Sequence, residues 1–157
     1  ATAEQADAME LGKLYAIQTT ASTTEGAQYV YCKKLVKNET GERPLYTGYH
    51  STVSAFYYGT LIVGDQFDGN FDGYSALDTN IPLSSLKEPT AFDSPTTFAV
   101  ASVIPGWTAA LQLMRAGERW MLYIPWQSAY GSSGNNDGTI PGYTALTFDL
   151  LLERIVE

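Results

Sequence analysis

The sequence is short of the side chains that most covalent enzyme chemistry requires. It holds one cysteine and one histidine in 157 residues. Cys32 has no internal partner, so a disulfide framework is excluded. It sits in a strand-like run beside Lys33 and Lys34, with no histidine near it in sequence, and reads as a structural thiol rather than a nucleophile. A single His50 excludes a histidine-based metal site by count, and its neighbours make it a solvated loop residue. No Gly-x-Ser-x-Gly turn is present. The pair Ser132-Ser133 falls in a loop, where turn chemistry accounts for it. No glycine-rich loop joins a strand to a helix with lysine, so phosphate cradles are missing too. Asp65, Asp68, Asp72, Asp78 and Asp93 do not follow the ligand spacing of an EF-hand and read as solvated acidic surface. Neither a metal nor a cofactor is expected.

Positive charge is also scarce: 9 basic residues stand against 17 acidic ones, for a formal charge of -8. Nucleic-acid binders need Lys and Arg to displace counterions, so the balance argues against phosphate backbones and no nucleic-acid partner is expected. The same sign opposes anionic membrane surfaces. No apolar run reaches the length of a membrane-spanning helix, so no transmembrane segment is expected. The start at Ala1 lacks a basic head followed by an apolar run. A chain trimmed of an export signal begins this way, and so does a cytoplasmic one.

What is present fits one ordinary domain that can fill a core, with 45% hydrophobic residues. The spacing of Ala6, Met9, Leu11, Leu14 and Ile17 predicts a helix over 3–18. The polar stretch 19–26 reads as a linker. Strands are expected over 28–36 and 51–63, with an extended run over 66–71 beyond the turn at Gly64-Asp65. The irregular stretch 72–93 keeps Tyr74, Leu77, Ile81, Leu83, Leu86 and Phe92, so it reads as an ordered insertion. A short strand is expected over 97–102. Trp107, Ala110, Leu111 and Met114 then share one face of a short helix, stopped by Gly117. Strands over 118–124 and 144–155 flank a Gly/Ser/Asn loop over 129–142. No βαβ rhythm appears. The expectation is an α+β fold: an antiparallel, strongly twisted sheet wrapped around one short helix, with an additional N-terminal helix. Residues 1–25 would form the helix and linker, and 26–157 the domain, with its insertion at about 72–93.

The chemistry left is apolar and aromatic: Tyr57, Phe67, Val103, Ile104, Trp107, Tyr130, Ile140 and Phe148. Most such residues are core. Trp107, however, opens a helix directly after Pro105-Gly106, and Tyr130 stands at the base of a glycine-rich loop.

Val103-Ile104-Pro105-Gly106-Trp107 resembles the central motif of FKBP-type peptidyl-prolyl isomerases. The family's further pattern follows in order: Ala110 to Gly117, Tyr123 to Pro125, Ala129 to Gly134, Ile140-Pro141, and Leu146 to Leu151. Upstream, Phe56-Tyr57-Tyr58-Gly59 and Phe67-Asp68 resemble its earlier strands. The resemblance runs from about Gly26 to Glu157 and implies an isomerase acting on proline-containing polypeptides. It implies a pocket with Trp107 as floor under the proline ring and Tyr57, Phe67 and Phe148 as walls, with Val103 and Ile140 beside them. The Tyr130 hydroxyl and the Ile104 backbone N–H would bond ligand carbonyls, and Asp68 would stand near the twisting amide. Macrolide inhibitors are implied as further ligands. Three departures stand out: Thr96 replaces a family aromatic and opens one wall, the 132–138 loop is one residue longer, and the segment near 73–92 is extra.

Rotation about a peptide bond needs no nucleophile, since only resonance, about 18–20 kcal/mol, must be overcome. Two other readings stay open: a non-catalytic module or chaperone on the same fold that binds proline segments, and an acidic carbohydrate-binding β domain using its 11 tyrosines and 3 tryptophans as platforms. The second leaves the ordered motif series unexplained. The resemblance to exported bacterial members places the chain in the periplasm or envelope, lipid-anchored before trimming, with a cytoplasmic location as the alternative.

Overall fold

A computed structural model describes residues 2–23, 26–61, 66–71, 86–135 and 138–156. In chain order the elements are helix α1 (Ala3–Asp7), strands β1 (Leu14–Thr23), β2 (Gly26–Val36), β3 (Thr52–Leu61), β4 (Gln66–Gly69) and β5 (Thr96–Ala99), helix α2 (Pro105–Leu111), and strands β6 (Arg119–Ile124) and β7 (Leu146–Val156). Among the described residues the strands form one antiparallel sheet in the order β1-β2-β6-β7-β3-β4, with β5 also paired to β3. The edge of β3 opposite β7 is divided. Thr52 to Ala55 pair with β5, and Tyr58 to Thr60 pair with β4. This is the expected α+β arrangement, an antiparallel sheet with one short central helix.

Period-two alternation gives the sheet two distinct faces. Trp120, Leu122 and Ile124 of β6 and Leu146, Phe148, Leu150 and Leu152 of β7 point to the main core. Trp107, Ala110 and Leu111 of α2 fill that face. Pro105 takes the first helical position, where a missing N–H is no loss. Gly106 lets the helix approach β6, since a Cβ there would stand 2.7 Å from Ile124 Cγ2. The helix closes at Leu111, and the turn after it carries Met114 into the same core through a Met114 N–H bond to the Ala110 carbonyl at 2.9 Å.

The other face buries a smaller cluster of Leu35, Tyr58, Phe71 and Met121, packed by Phe56, Leu86 and Tyr123. Arg119 and Asp149 are buried there as an ion pair, 1% and 0% exposed. Arg119 Nε donates to Asp149 Oδ1 at 2.7 Å, Nη1 donates to Glu88 at 2.9 Å, and Nη2 bonds the Lys87 carbonyl. Of the insertion expected at 72–93, residues 72–85 lie outside the described residues. Its flanks, Phe71 and Leu86, both pack on this outer face.

The N-terminal expectation needs correction. The helix spans Ala3–Asp7, not 3–18, and Leu14–Thr23 is a strand that also takes up most of the expected linker. Thr2 and Gln5 cap α1 reciprocally. Gly12, at φ 76, then donates its N–H to the Lys34 carbonyl and turns the chain into β1. In β1, Ile17 and Thr19 are buried while Ala16, Gln18 and Thr20 are exposed, the period of a strand. Since β1 pairs with β2, residues 14–23 belong to the same sheet as the rest of the chain.

Buried charge ties α1 down. Lys34, 0% exposed, donates to the Ala6 carbonyl at 2.6 Å and lies 3.5 Å from the buried Glu118 carboxylate. Asp7 receives guanidinium bonds from Arg115, at 2.9 and 3.0 Å, and from Arg43. The Arg115 bonds first, then those of Arg43, hold the Asp7 carboxyl well below the usual carboxylate range. Its contribution to stability is therefore present above the ordinary value of 3.8 and lost as pH falls through the depressed folded value. The stability gap between the wild type and Asp7→Asn should be constant above about pH 5 and narrow below about pH 4. Thermal unfolding between those limits checks this, and a gap that does not narrow in acid rejects it.

Candidate functional site

The site is built where the 3-10 turn Val100–Ser102 enters α2. Thr108 Oγ1 donates to the Val100 carbonyl at 2.7 Å and to the Val103 carbonyl at 3.3 Å. The Ile104 carbonyl accepts from the N–H groups of Trp107 and Thr108, at 2.9 and 3.1 Å. These bonds fix the Ile104 backbone and place Trp107 at the first turn of the helix.

Trp107 is 3% exposed and meets three rings edge-on. Phe98 lies at 5.0 Å, Phe148 at 5.2 Å and Tyr57 at 5.4 Å between centroids. Tyr57 meets Phe98 at 5.5 Å, and Phe67 meets Phe148 at 5.5 Å, again edge-on. Such contacts place the positive ring edge on the negative face and add about 0.5–1.5 kcal/mol each beyond area burial. The indole Nε1–H finds no acceptor among the described residues.

Above the indole is a cavity of about 270 Å³. Eight of the nine residues expected at the site line it: Tyr57, Phe67, Asp68, Val103, Ile104, Trp107, Tyr130 and Phe148. Ile140 does not; it is 2% exposed in the main core. Its N–H donates to Asn135 Oδ1 and its carbonyl accepts from the Asn135 N–H, which turn it inward. Two further lining residues, Phe98 and Ser102, were not among those expected. Phe98 alternates with exposed Thr97 and Ala99, the one signal available for it in the sequence.

The polar side of the cavity is Asp68, on β4, beside Tyr57, on β3. Burial first, then a hydrogen bond to Asp68, pushes the Tyr57 hydroxyl far above the usual tyrosine range. Tyr57 thus keeps its proton beside Asp68. The Gly69 N–H also donates to Asp68 Oδ1, at 2.8 Å. Tyr130, 40% exposed, stands at the mouth. Gly59 makes the walls possible, because a Cβ there would lie 2.6 Å from Phe148 Cε1 and 2.9 Å from Phe67 Cζ.

The geometry defines an α+β protein with an apolar cavity over an indole, between aromatic walls and beside one carboxylate. The model of the family described as FKBP-type peptidyl-prolyl cis-trans isomerase matches residues 47–153, and the chain belongs to that family. It is 34% identical over 134 residues to an FKBP-type peptidyl-prolyl cis-trans isomerase FkpA of Aeromonas hydrophila, covering 85% of this chain and 40% of that protein. It is 40% identical over 106 residues to the outer membrane protein MIP of Legionella longbeachae, covering 68% of this chain and 34% of that one. The chain thus spans less than half the length of either relative. Its fold is similar to the crystal structure of a peptidyl-prolyl cis-trans isomerase from Pseudomonas syringae, with a TM-score of 0.61 and 26% identity over 99% of this chain and 91% of that one.

Gly59→Ala should force the Phe67 and Phe148 rings apart and disturb the cavity while leaving the sheet intact. Overpacking of this kind costs about 1–3 kcal/mol. Denaturant unfolding should show that loss together with an altered Trp107 environment in aromatic NMR, and wild-type stability with unmoved rings would contradict the assignment.

Proposed function

We propose that the chain accelerates rotation about Xaa-Pro peptide bonds in polypeptides, with an apolar residue before the proline. The observation that carries this is the seating of Trp107 beneath an open cavity walled by Tyr57, Phe67, Phe98 and Phe148. A pyrrolidine ring fits on the indole face. The Ile104 N–H and the Tyr130 hydroxyl would bond the carbonyls on either side of it, and Asp68, oriented by Tyr57, would supply the fixed charge near the amide.

The planar amide is stabilised by charge separation between oxygen and nitrogen, which water solvates and an apolar cage does not. Desolvating it and receiving the twisted form lowers part of the barrier of about 18–20 kcal/mol. Every ~1.4 kcal/mol of preference for the twisted form is a tenfold rate gain. No bond is made or broken, so shape and a few dipoles suffice.

Macrolides that present a proline-like ring would compete for the same cavity. Export to the periplasm or envelope is part of this reading. It is supported by the similarity to the Legionella outer membrane protein, and no helix among the described residues is long and apolar enough to cross a membrane. Fractionation of the source cells tests that part, and recovery with cytosolic markers alone would overturn it.

In a protease-coupled assay on Xaa-Pro peptides the protein should raise the isomerisation rate above background, and a macrolide should suppress the gain. Trp107→Ala should lower kcat/KM at least tenfold, equivalent to about 1.4 kcal/mol of lost transition-state binding. A wild-type rate no faster than background sinks the catalytic reading. Peptide affinity retained without any rate gain would leave a binding module instead.

A further inference from the structure

The divided edge of β3 leaves a gap. β5 ends its pairing at Ala55↔Thr96 and β4 begins at Tyr58↔Gly69, so neither strand serves Phe56 and Tyr57. Asn70, the first residue after β4, fills that gap. Its backbone N–H donates to the Tyr57 carbonyl at 3.0 Å, as the next rung of the ladder would. The return bond, from the Tyr57 N–H, goes to Asn70 Oδ1 at 2.8 Å rather than to a backbone carbonyl. The Asn70 Nδ2 then donates to the Ala55 carbonyl at 2.9 Å and to Thr96 Oγ1 at 3.1 Å. A carboxamide carries the same donor and acceptor as a peptide group. The side chain therefore continues the ladder for one rung while the backbone leaves the sheet toward Phe71 on the outer face.

We propose that Asn70 is a positioning residue for the cavity, splicing β4, which carries Asp68, to β5, which carries Phe98, across the backbone of Tyr57. Both Tyr57 and Phe98 seat Trp107 edge-on, and Tyr57 and Asp68 line the same cavity. One amide thus sets the spacing of two walls and of the carboxylate. It also gives Thr96 a role: the position where the family has an aromatic supplies a hydroxyl that anchors the splice. The inference deepens the isomerase reading and rests on it for its kinetic part.

The test uses Asn70→Ala and the milder Thr96→Val, with Asp7→Asn as a control at a distant ion pair. Two readouts are followed: kcat/KM on an Xaa-Pro peptide, and the Trp107 indole N–H resonance, assigned with Trp107→Phe. Asn70→Ala should lower kcat/KM about tenfold and shift the indole resonance, because losing the two part-buried bonds to Tyr57 and Ala55 together with the exposed one to Thr96 loosens the ring geometry. Thr96→Val should move both in the same direction by about twofold to threefold in rate, consistent with one lost bond. Asp7→Asn should move neither. Wild-type rate and an unmoved indole in folded Asn70→Ala overturn the proposal. If that variant fails to fold, the same null result in Thr96→Val overturns it. If the wild type itself shows no isomerase activity, the catalytic reading falls and the indole resonance alone decides the role of Asn70.

Discussion

The edge-on seating of Trp107 is the contact on which the rest of the site depends. Its indole is carried by a helix laid on the sheet rather than by one of the strands. Here it enters from the first turn of α2, and three separate strands each bring one ring to it: Tyr57 from β3, Phe98 from β5 and Phe148 from β7. The contact needs two glycines. Gly106 lets the helix lie against Ile124, and Gly59 clears the space in which Phe67 and Phe148 meet. Each ring restrains its neighbours, so the cavity keeps its shape before any ligand arrives. That preorganisation is what a reaction driven by shape alone requires.

The outer face secures the register that brings those rings together. Gly59 stands opposite Phe148, and Met121 opposite Asp149, only in one alignment of β3, β7 and β6. A slip of one residue would turn every side chain to the wrong face. It would drive Arg119 and Asp149 into the apolar core without their partners. A buried ion pair adds little net stability against an apolar pair, yet separating its members costs about 3–5 kcal/mol. The Arg119–Asp149 pair therefore acts mainly against misalignment. The same guanidinium holds Glu88 and the Lys87 carbonyl, so the chain at these two residues is fastened on the side of the sheet away from the cavity.

Legibility in the sequence followed the range of the interactions. Trp107, Ala110 and Leu111 sit on one helical turn, and Leu146, Phe148 and Leu150 alternate on one strand, so local spacing was enough to read them. The N-terminal helix misled because Ala6, Met9, Leu14 and Ile17 satisfy a helical spacing by coincidence. The strand pattern there runs through Tyr15, Ile17 and Thr19, and a threonine does not count as apolar in a sequence pattern although Thr19 is 7% exposed. Ile140 lay in a motif of the right family but turns inward through its two bonds with Asn135. Phe98 could not be told from an ordinary core residue on a four-residue strand. Asn70 reads as a loop asparagine, because its role depends on a gap between two strands 26 residues apart at Asn70 and Thr96.

The matched family segment begins at residue 47, yet the fold does not divide there. β2 lies between β1 and β6, and it covers one edge of β6 with a ladder from Tyr31↔Tyr123 to Val36↔Arg119. Without β2 the edge of a strand that carries Trp120, Leu122 and Ile124 would stand open, an aggregation-prone template. Glu118 would lose Lys34 and remain as a buried carboxylate held by the Arg115 and Asn38 N–H groups and the Trp120 indole. Burying such a charge without its cation is costly. Lys34 in turn is satisfied by the Ala6 carbonyl, which exists at that point because α1 is capped and held by Asp7. Charge burial thus couples α1, through β2 and β6, to the strand that Gly106 and α2 pack upon. The N-terminal segment is in this sense a wall of the same domain.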